Sequence, residues 1–190
     1  MNKKEFVKKF AGCINPMLPS DKYELIEGKN LFYELTLNRK LEVENIENQT
    51  RGKSAFQTDL ILYEKNDKDG FPLVVFEFKM KPSTHDIMVY SAKARKQKQI
   101  YPWLRYGMLI CGTNDIPIRK FLKHNEFLDF CVSVKNIINE EVIPNNIEID
   151  KIIKFINSEI NDAKNLERIH FETTKVNFYQ KRIELSTSKN

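Results

Sequence analysis

The chain has 190 residues, 41% hydrophobic and 30% charged, which suits one domain with its own core, and no apolar run approaches the ~18 residues a membrane span needs. A formal net charge of +5 permits a polyanionic partner without identifying one. Three widely spaced cysteines, Cys13, Cys111 and Cys131, argue against a disulfide framework or a zinc C-x-x-C pair, and Cys111 reads as a small core residue.

Residues Lys3 to Ala11 predict a short helix, charged throughout and without the apolar stretch of a signal peptide, so a soluble, cytoplasmic protein is expected. Asn15-Pro16-Met17-Leu18-Pro19 breaks that helix, and Ser20 or Asp21 is read as the cap of a second one running to Ile26. From Leu31 to Asn45 the spacing suggests a helix followed by a first strand, with Leu41 and Val43 alternating. The segment from Asn48 to Ser54, with Arg51, Gly52 and Lys53, reads as a solvated hairpin loop rather than a phosphate cradle. The Gly-x-x-x-x-Gly-Lys-Ser/Thr pattern is absent.

Thr58 to Tyr63 predicts a strand, Glu64 to Gly70 a turn rich in Asn, Asp and Gly, and Leu73 to Met80 a second, strongly apolar strand. Within that apolar run stand Glu77 and Lys79, two residues apart and therefore on one face. Ionised groups in such surroundings must be paired, shifted in pKa or bound to a metal. A turn centred near Lys68 places Asp59 opposite Glu77. Two carboxylates held together repel, and a hard divalent cation with oxygen ligands would relieve the repulsion. The competing reading is a structural ion pair on a solvated sheet edge. Glu-x-Lys also occurs at Glu27-Gly28-Lys29, outside such a strand.

Ser83 to Asp86 forms a capping-box pattern that opens a helix to about Tyr101, along which Tyr90, Lys93, Gln97 and Tyr101 share one face. Pro102-Trp103 stops it, and Arg105 to Gly112 is another buried strand. A small helix over Ile116 to His124, a strand over Phe127 to Val134 and a polar connection with Pro144 follow. Asp150 to about Phe171 is a long amphipathic helix with the stripe Ile152, Ile153, Ile156, Ile160 and Leu166, and Val176 to Leu185 is read as a last strand. His85 is explained by solvation at a helix start, and His124 and His170 lack metal-spaced partners. Trp103, Tyr101 and Tyr106 read as a packing cap more readily than as a base-stacking surface. The pattern is α/β, with a central mixed sheet flanked by helices.

At Asp59, Glu77 and Lys79 the chain resembles the PD-(D/E)-x-K nuclease superfamily, with Thr58 where the proline usually stands. Gln97 and Tyr101, as Q-x-x-x-Y, resemble the motif that follows the lysine in RecB-like nucleases and in nuclease domains of type I restriction subunits. The resemblance covers about residues 30 to 112 and implies a restriction endonuclease-like core, about 30 to 135, within one domain over residues 1 to 190, the helix and strand of 150 to 185 packing on it. It implies phosphodiester hydrolysis with magnesium, or manganese in its place, held by Asp59, Glu77 and the Phe78 backbone carbonyl. Lys79 would then serve the transition state or the attacking water, with Gln97, Tyr101 and Lys93 positioning nucleic acid. A further acid on the first helix is common in the superfamily; Glu34 is the first candidate and Glu24 the second. DNA is the expected partner, cleaved by the protein alone, as a homodimer, or with a separate helicase or specificity subunit. The alternative is a non-catalytic nucleic-acid-binding or assembly protein that keeps the fold.

Overall fold

The computed structural model describes residues 1–43, 54–66, 70–138, 146–172, 175–180 and 183–186. Arg51, Gly52 and Lys53, the tip of the expected 64–70 turn and the 139–145 connection lie outside the described residues. Helix α1 (Lys3–Ile14) leads into strands β1 (Tyr23–Glu27), β2 (Asn30–Phe32), β3 (Ala55–Gln57), β4 (Leu60–Glu64) and β5 (Phe71–Lys79). Helix α2 (Thr84–Ile100), strand β6 (Arg105–Ile110), helix α3 (Ile118–His124), strand β7 (Phe130–Ser133) and helix α4 (Asn146–Phe171) complete it. Five strands form one mixed sheet in the order β1-β4-β5-β6-β7, and β2 with β3 forms a separate two-stranded ribbon.

The centre of the sheet is β5, buried from Pro72 to Phe78. It pairs antiparallel with β4 and parallel with β6, and α2 supplies the crossover that a parallel pair requires. Val74, Phe76 and Phe78 pack beneath α1 and α4 with Phe6, Phe10, Ile152, Ile156 and Ile160. Val75 lies on the opposite face with Ile87, Tyr90, Ala94, Tyr106 and Met108 under α2. The charged members of the run, Glu77 and Lys79, follow Val75 in the pleat and so belong to the α2 face. At Gly107 on β6, an added Cβ would come within 2.1 Å of the Phe130 ring, so this strand position admits only glycine without a shift.

The far end of the sheet is tied by charge. Arg105 donates from Nε to Glu159 at 2.7 Å and its guanidinium reaches Asp129 at 3.1 Å, while Lys98 reaches Asp129 at 2.6 Å. These bonds join β6, α4, α2 and the approach to β7.

Three expected elements differ. Residues 23–27 are an edge strand on β4, not a helix, because an open ladder with Leu25 facing the core outweighs a local helical cap signal. No helix forms over the described part of Leu31 to Asn45; β2 has three residues, and beyond it Leu37 and Val43 make one isolated bridge. The described residues of the Val176 to Leu185 segment hold no strand, and Phe178, Tyr179 and Ile183 are exposed; alternation without a free ladder partner is insufficient.

Candidate active site

Strand register builds the site. Leu60 pairs with Phe76 and Leu62 with Val74, so Asp59 stands level with Glu77, while the irregularity between Leu62 and Tyr63 falls on the turn side. Asp59 is fixed from several directions. Its Oδ2 accepts from the Phe78 backbone N–H at 2.8 Å, and its carbonyl accepts from the Gly28 N–H at 3.3 Å. The preceding Thr58 donates both its N–H and its hydroxyl to the Lys29 carbonyl at 2.9 Å, so it anchors the strand entry by hydrogen bonding.

Glu77 is 1% exposed. The Tyr106 hydroxyl donates to its Oε1 at 2.7 Å and the Lys93 ammonium lies 3.8 Å away. Burial above all raises its pKa to about 7; Lys93 and the Tyr106 hydrogen bond pull it down, and the charge of Asp59 and a hydrogen bond with it push it up. With Asp59 close by, a negative charge on the buried Glu77 is disfavoured unless positive charge offsets it.

A cation already sits on Asp59. Lys3, the first residue of α1, donates to both its oxygens at 2.7 and 2.8 Å. The helix that delivers it is firmly placed: Asn2 and Glu5 close a capping box, and the rings of Phe6 and Phe10 lie 6.1 and 5.4 Å from that of Phe78. The Lys3 ammonium thus occupies both oxygens of the Asp59 carboxylate. In an extended strand the N–H and C=O of one residue face the same edge, so the Phe78 carbonyl faces the edge on which its N–H meets Asp59. Two carboxylates and one carbonyl are hard donors of the kind magnesium and manganese accept, the remaining positions being left to water. Among the described residues, no group of three or more His, Cys, Asp or Glu side chains that could hold a metal occurs.

Lys79 is turned elsewhere. Its ammonium pairs with Asp86 at 2.8 Å and lies 5.3 Å from the Tyr90 ring centre. Burial opposes ionisation of Asp86, but hydrogen bonds from Lys79 and from the Ser83 backbone and hydroxyl hold its pKa down at about 2. The expected capping box at Ser83 is present, and its acid also engages the lysine of Glu-x-Lys. The base facing Glu77 is therefore Lys93, one of the residues expected on this helix face.

Gln97 and Tyr101 both face β2. Gln97 is fully buried and its Nε2 donates to the Leu31 carbonyl at 3.2 Å. Burial pushes the Tyr101 phenol up, and a hydrogen bond with the Phe32 backbone draws it partly back. Both residues of Q-x-x-x-Y therefore grip β2, the buried Gln97 through its Nε2 alone, its Oε1 having no partner among the described residues, and the partly buried Tyr101 through its phenol. Glu34 is exposed in the irregular segment after β2, and Glu24 is exposed on β1, 4.0 Å from Lys65. The acid on the first helix is Glu5, spent on the cap; what that helix brings to the carboxylates is Lys3. His85 is exposed at the start of α2.

Three participants were not legible in sequence. Lys3 acts across a separation of 56 residues, Tyr106 across the parallel pairing of β5 with β6, and Asp86 through a cap pattern that reads as purely local. No protein-family model matches the chain, and comparison with curated proteins finds no match.

The raised pKa of Glu77, about 7 against an ordinary 4.5, means that the folded chain binds this proton more tightly than the unfolded chain. Its stabilising effect is complete below the unfolded value and is lost as pH rises through 7, leaving a deficit on the order of 3 kcal/mol above it. Glu77→Gln should therefore flatten the metal-free stability profile between about pH 5 and 8 and exceed wild type at the upper end. Urea unfolding across that range checks this; parallel profiles would contradict it.

Proposed function

We propose that this chain is a metal-dependent nuclease of the PD-(D/E)-x-K kind, acting on DNA, with a restriction endonuclease-like core. The observation that carries the reading is the buried Asp59–Glu77 contact, in which one carboxyl is pushed to about 7 and the other is held by a lysine ammonium. A structural ion pair would not need two acids in contact within an apolar sheet, where unrelieved like charge is costly. Perturbed acids of this kind gather at functional sites.

In this reading Asp59, Glu77 and the Phe78 carbonyl hold magnesium or manganese. When bound, the metal would supply charge against the phosphate and make a bound water easier to ionise. Tyr106 fixes the Glu77 carboxylate by its 2.7 Å hydrogen bond, and Phe78 N–H fixes that of Asp59. Lys79 stands one pleat beyond Glu77, held by Asp86 and Tyr90 until a phosphate competes for its ammonium. Lys93 offers a second ammonium beside Glu77. Gln97 and Tyr101 serve the site through β2, since Lys29 immediately precedes that strand and anchors Thr58. The second reading, a binding or assembly protein that keeps the fold, draws on the engagement of Lys79 with Asp86 rather than with the carboxylates.

Cleavage of supercoiled, linear and single-stranded DNA with magnesium or manganese, by wild type and Lys79→Ala at equal purity, tests the function. Metal-dependent cutting abolished by the substitution is expected; equal cutting by both, or none by wild type, contradicts it. Lys3→Met should tighten manganese binding, read by electron paramagnetic resonance of free manganese, by up to about 5-fold, the scale of a partly exposed ion pair. Unchanged affinity would show that Lys3 does not compete for Asp59.

A further inference from the structure

Beside the carboxylates, cations and aromatic rings alternate in a single file. The Lys79 ammonium lies 5.3 Å from the Tyr90 ring centre, and Lys93 lies 5.1 Å from the same ring and 5.5 Å from that of Phe56. Phe56 stacks on Tyr33 with centres 4.1 Å apart and planes 23° apart, and Lys96 lies 4.9 Å from Tyr33. The file starts on the strand that carries Glu77 and ends at Lys96, which is exposed. Its rings come from different elements: Tyr90 from α2, Phe56 from β3, and Tyr33 from just beyond β2. Leu31 pairs with Phe56, so Tyr33, two residues on, is the diagonal neighbour of Phe56 on one face of the ribbon.

The lysines of the file are held in two ways: Lys79 is paired with Asp86 at 2.8 Å, whereas the ammonium groups of Lys93 and Lys96 lie against rings, as that of Lys22 does against Tyr23. Lys98, Lys164 and Arg105 each touch carboxylates at 2.6 or 2.7 Å. Lys93 pairs with Glu77 at the longer distance of 3.8 Å, while Lys96 makes no ion pair among the described residues and its contact with the Tyr33 ring holds the ammonium in place without neutralising it. A positioned, unneutralised cation is what a phosphate requires. Lys93 and Lys96 are three residues apart on α2 and therefore about one turn apart on one side. Such a file suits one backbone with its bases laid against aromatic surface; a duplex presents two backbones across a major groove about 12 Å wide.

We propose that this file is the track by which a single strand of nucleic acid approaches the carboxylates, with Lys96 as its outer phosphate contact and Phe56 and Tyr33 as its aromatic wall. The proposal rests on the nuclease reading and supplies its substrate class. It also gives buried Gln97 and partly buried Tyr101 a second consequence, since the strand they grip leads directly into Tyr33.

The test measures binding without cleavage. Anisotropy of labelled oligodeoxythymidylate, and of a duplex of equal length, is followed in EDTA against sodium chloride for the full chain, Lys96→Gln, Phe56→Leu and Lys154→Gln, the last removing an exposed charge on α4. Lys96→Gln should weaken single-strand binding several-fold and make the salt dependence shallower by about 0.7, the share of one phosphate contact on a single strand. Phe56→Leu should weaken binding at an unchanged slope, and Lys154→Gln should match wild type. Equal effects of Lys96→Gln and Lys154→Gln, a stronger preference for duplex, or no binding by wild type would overturn the track. Because metal is absent, single-strand binding that depends on Lys96 in a protein that cuts nothing would refute the nuclease and leave the track standing, whereas cutting without that dependence would do the reverse.

Discussion

Two carboxyl groups in contact inside an apolar sheet form the constraint on which the rest of this structure depends. Asp59 and Glu77 arrive at the same level because the antiparallel register of β4 on β5 pairs Leu60 with Phe76 and Leu62 with Val74. Their proximity, and the burial of Glu77, make double ionisation unfavourable unless positive charge is brought in. The neighbourhood is arranged accordingly: Lys3 on Asp59, Lys93 near Glu77, and a phenol donating to Glu77. Such an arrangement does little for stability compared with an apolar pair of equal volume, and that is the ground on which a chemical role is proposed for it.

Support for the pair reaches through both faces of the sheet. On one face the docking of Phe6 and Phe10 against Phe78 sets the position of α1, and with it that of the Lys3 ammonium. On the other, Gln97 and Tyr101 hold β2, while the Lys29 carbonyl just before β2 takes two hydrogen bonds from Thr58. Asp59 is thus placed by contacts to elements far away in sequence, and its neighbour across the hairpin by a core strand. Rigid elements under a site of this kind keep its donors within the narrow geometry that chemistry demands.

What could be read from the sequence was what local spacing and symmetry determine. The level pairing of Asp59 with Glu77 follows from turn symmetry, and the Ser83–Asp86 cap and the α4 stripe through Ile152, Ile156 and Ile160 follow from helical spacing. Tertiary competition decided the rest. Residues 23–27 carry a local helix signal but meet an open edge of β4. Lys79 shares a strand face with Glu77, yet Asp86 lies within 2.8 Å of it and takes its ammonium. Gln97 lies on the expected helix face, but that face is covered by β2, so a residue expected to touch a ligand is buried beneath the strand. Lys3 carried no signal at all, because its partner becomes adjacent only after α1 docks.

The most direct test of the central claim is the ionisation of Glu77 itself, followed by carbon-13 NMR of the side-chain carboxyl in labelled protein, with and without magnesium. Without metal the carboxyl should titrate near 7, and saturating magnesium should return it to the ordinary carboxylate range, because a cation shared with Asp59 removes the reason for the proton. An ordinary value without metal would contradict the buried contact, and a raised value that magnesium leaves unmoved would contradict the metal site.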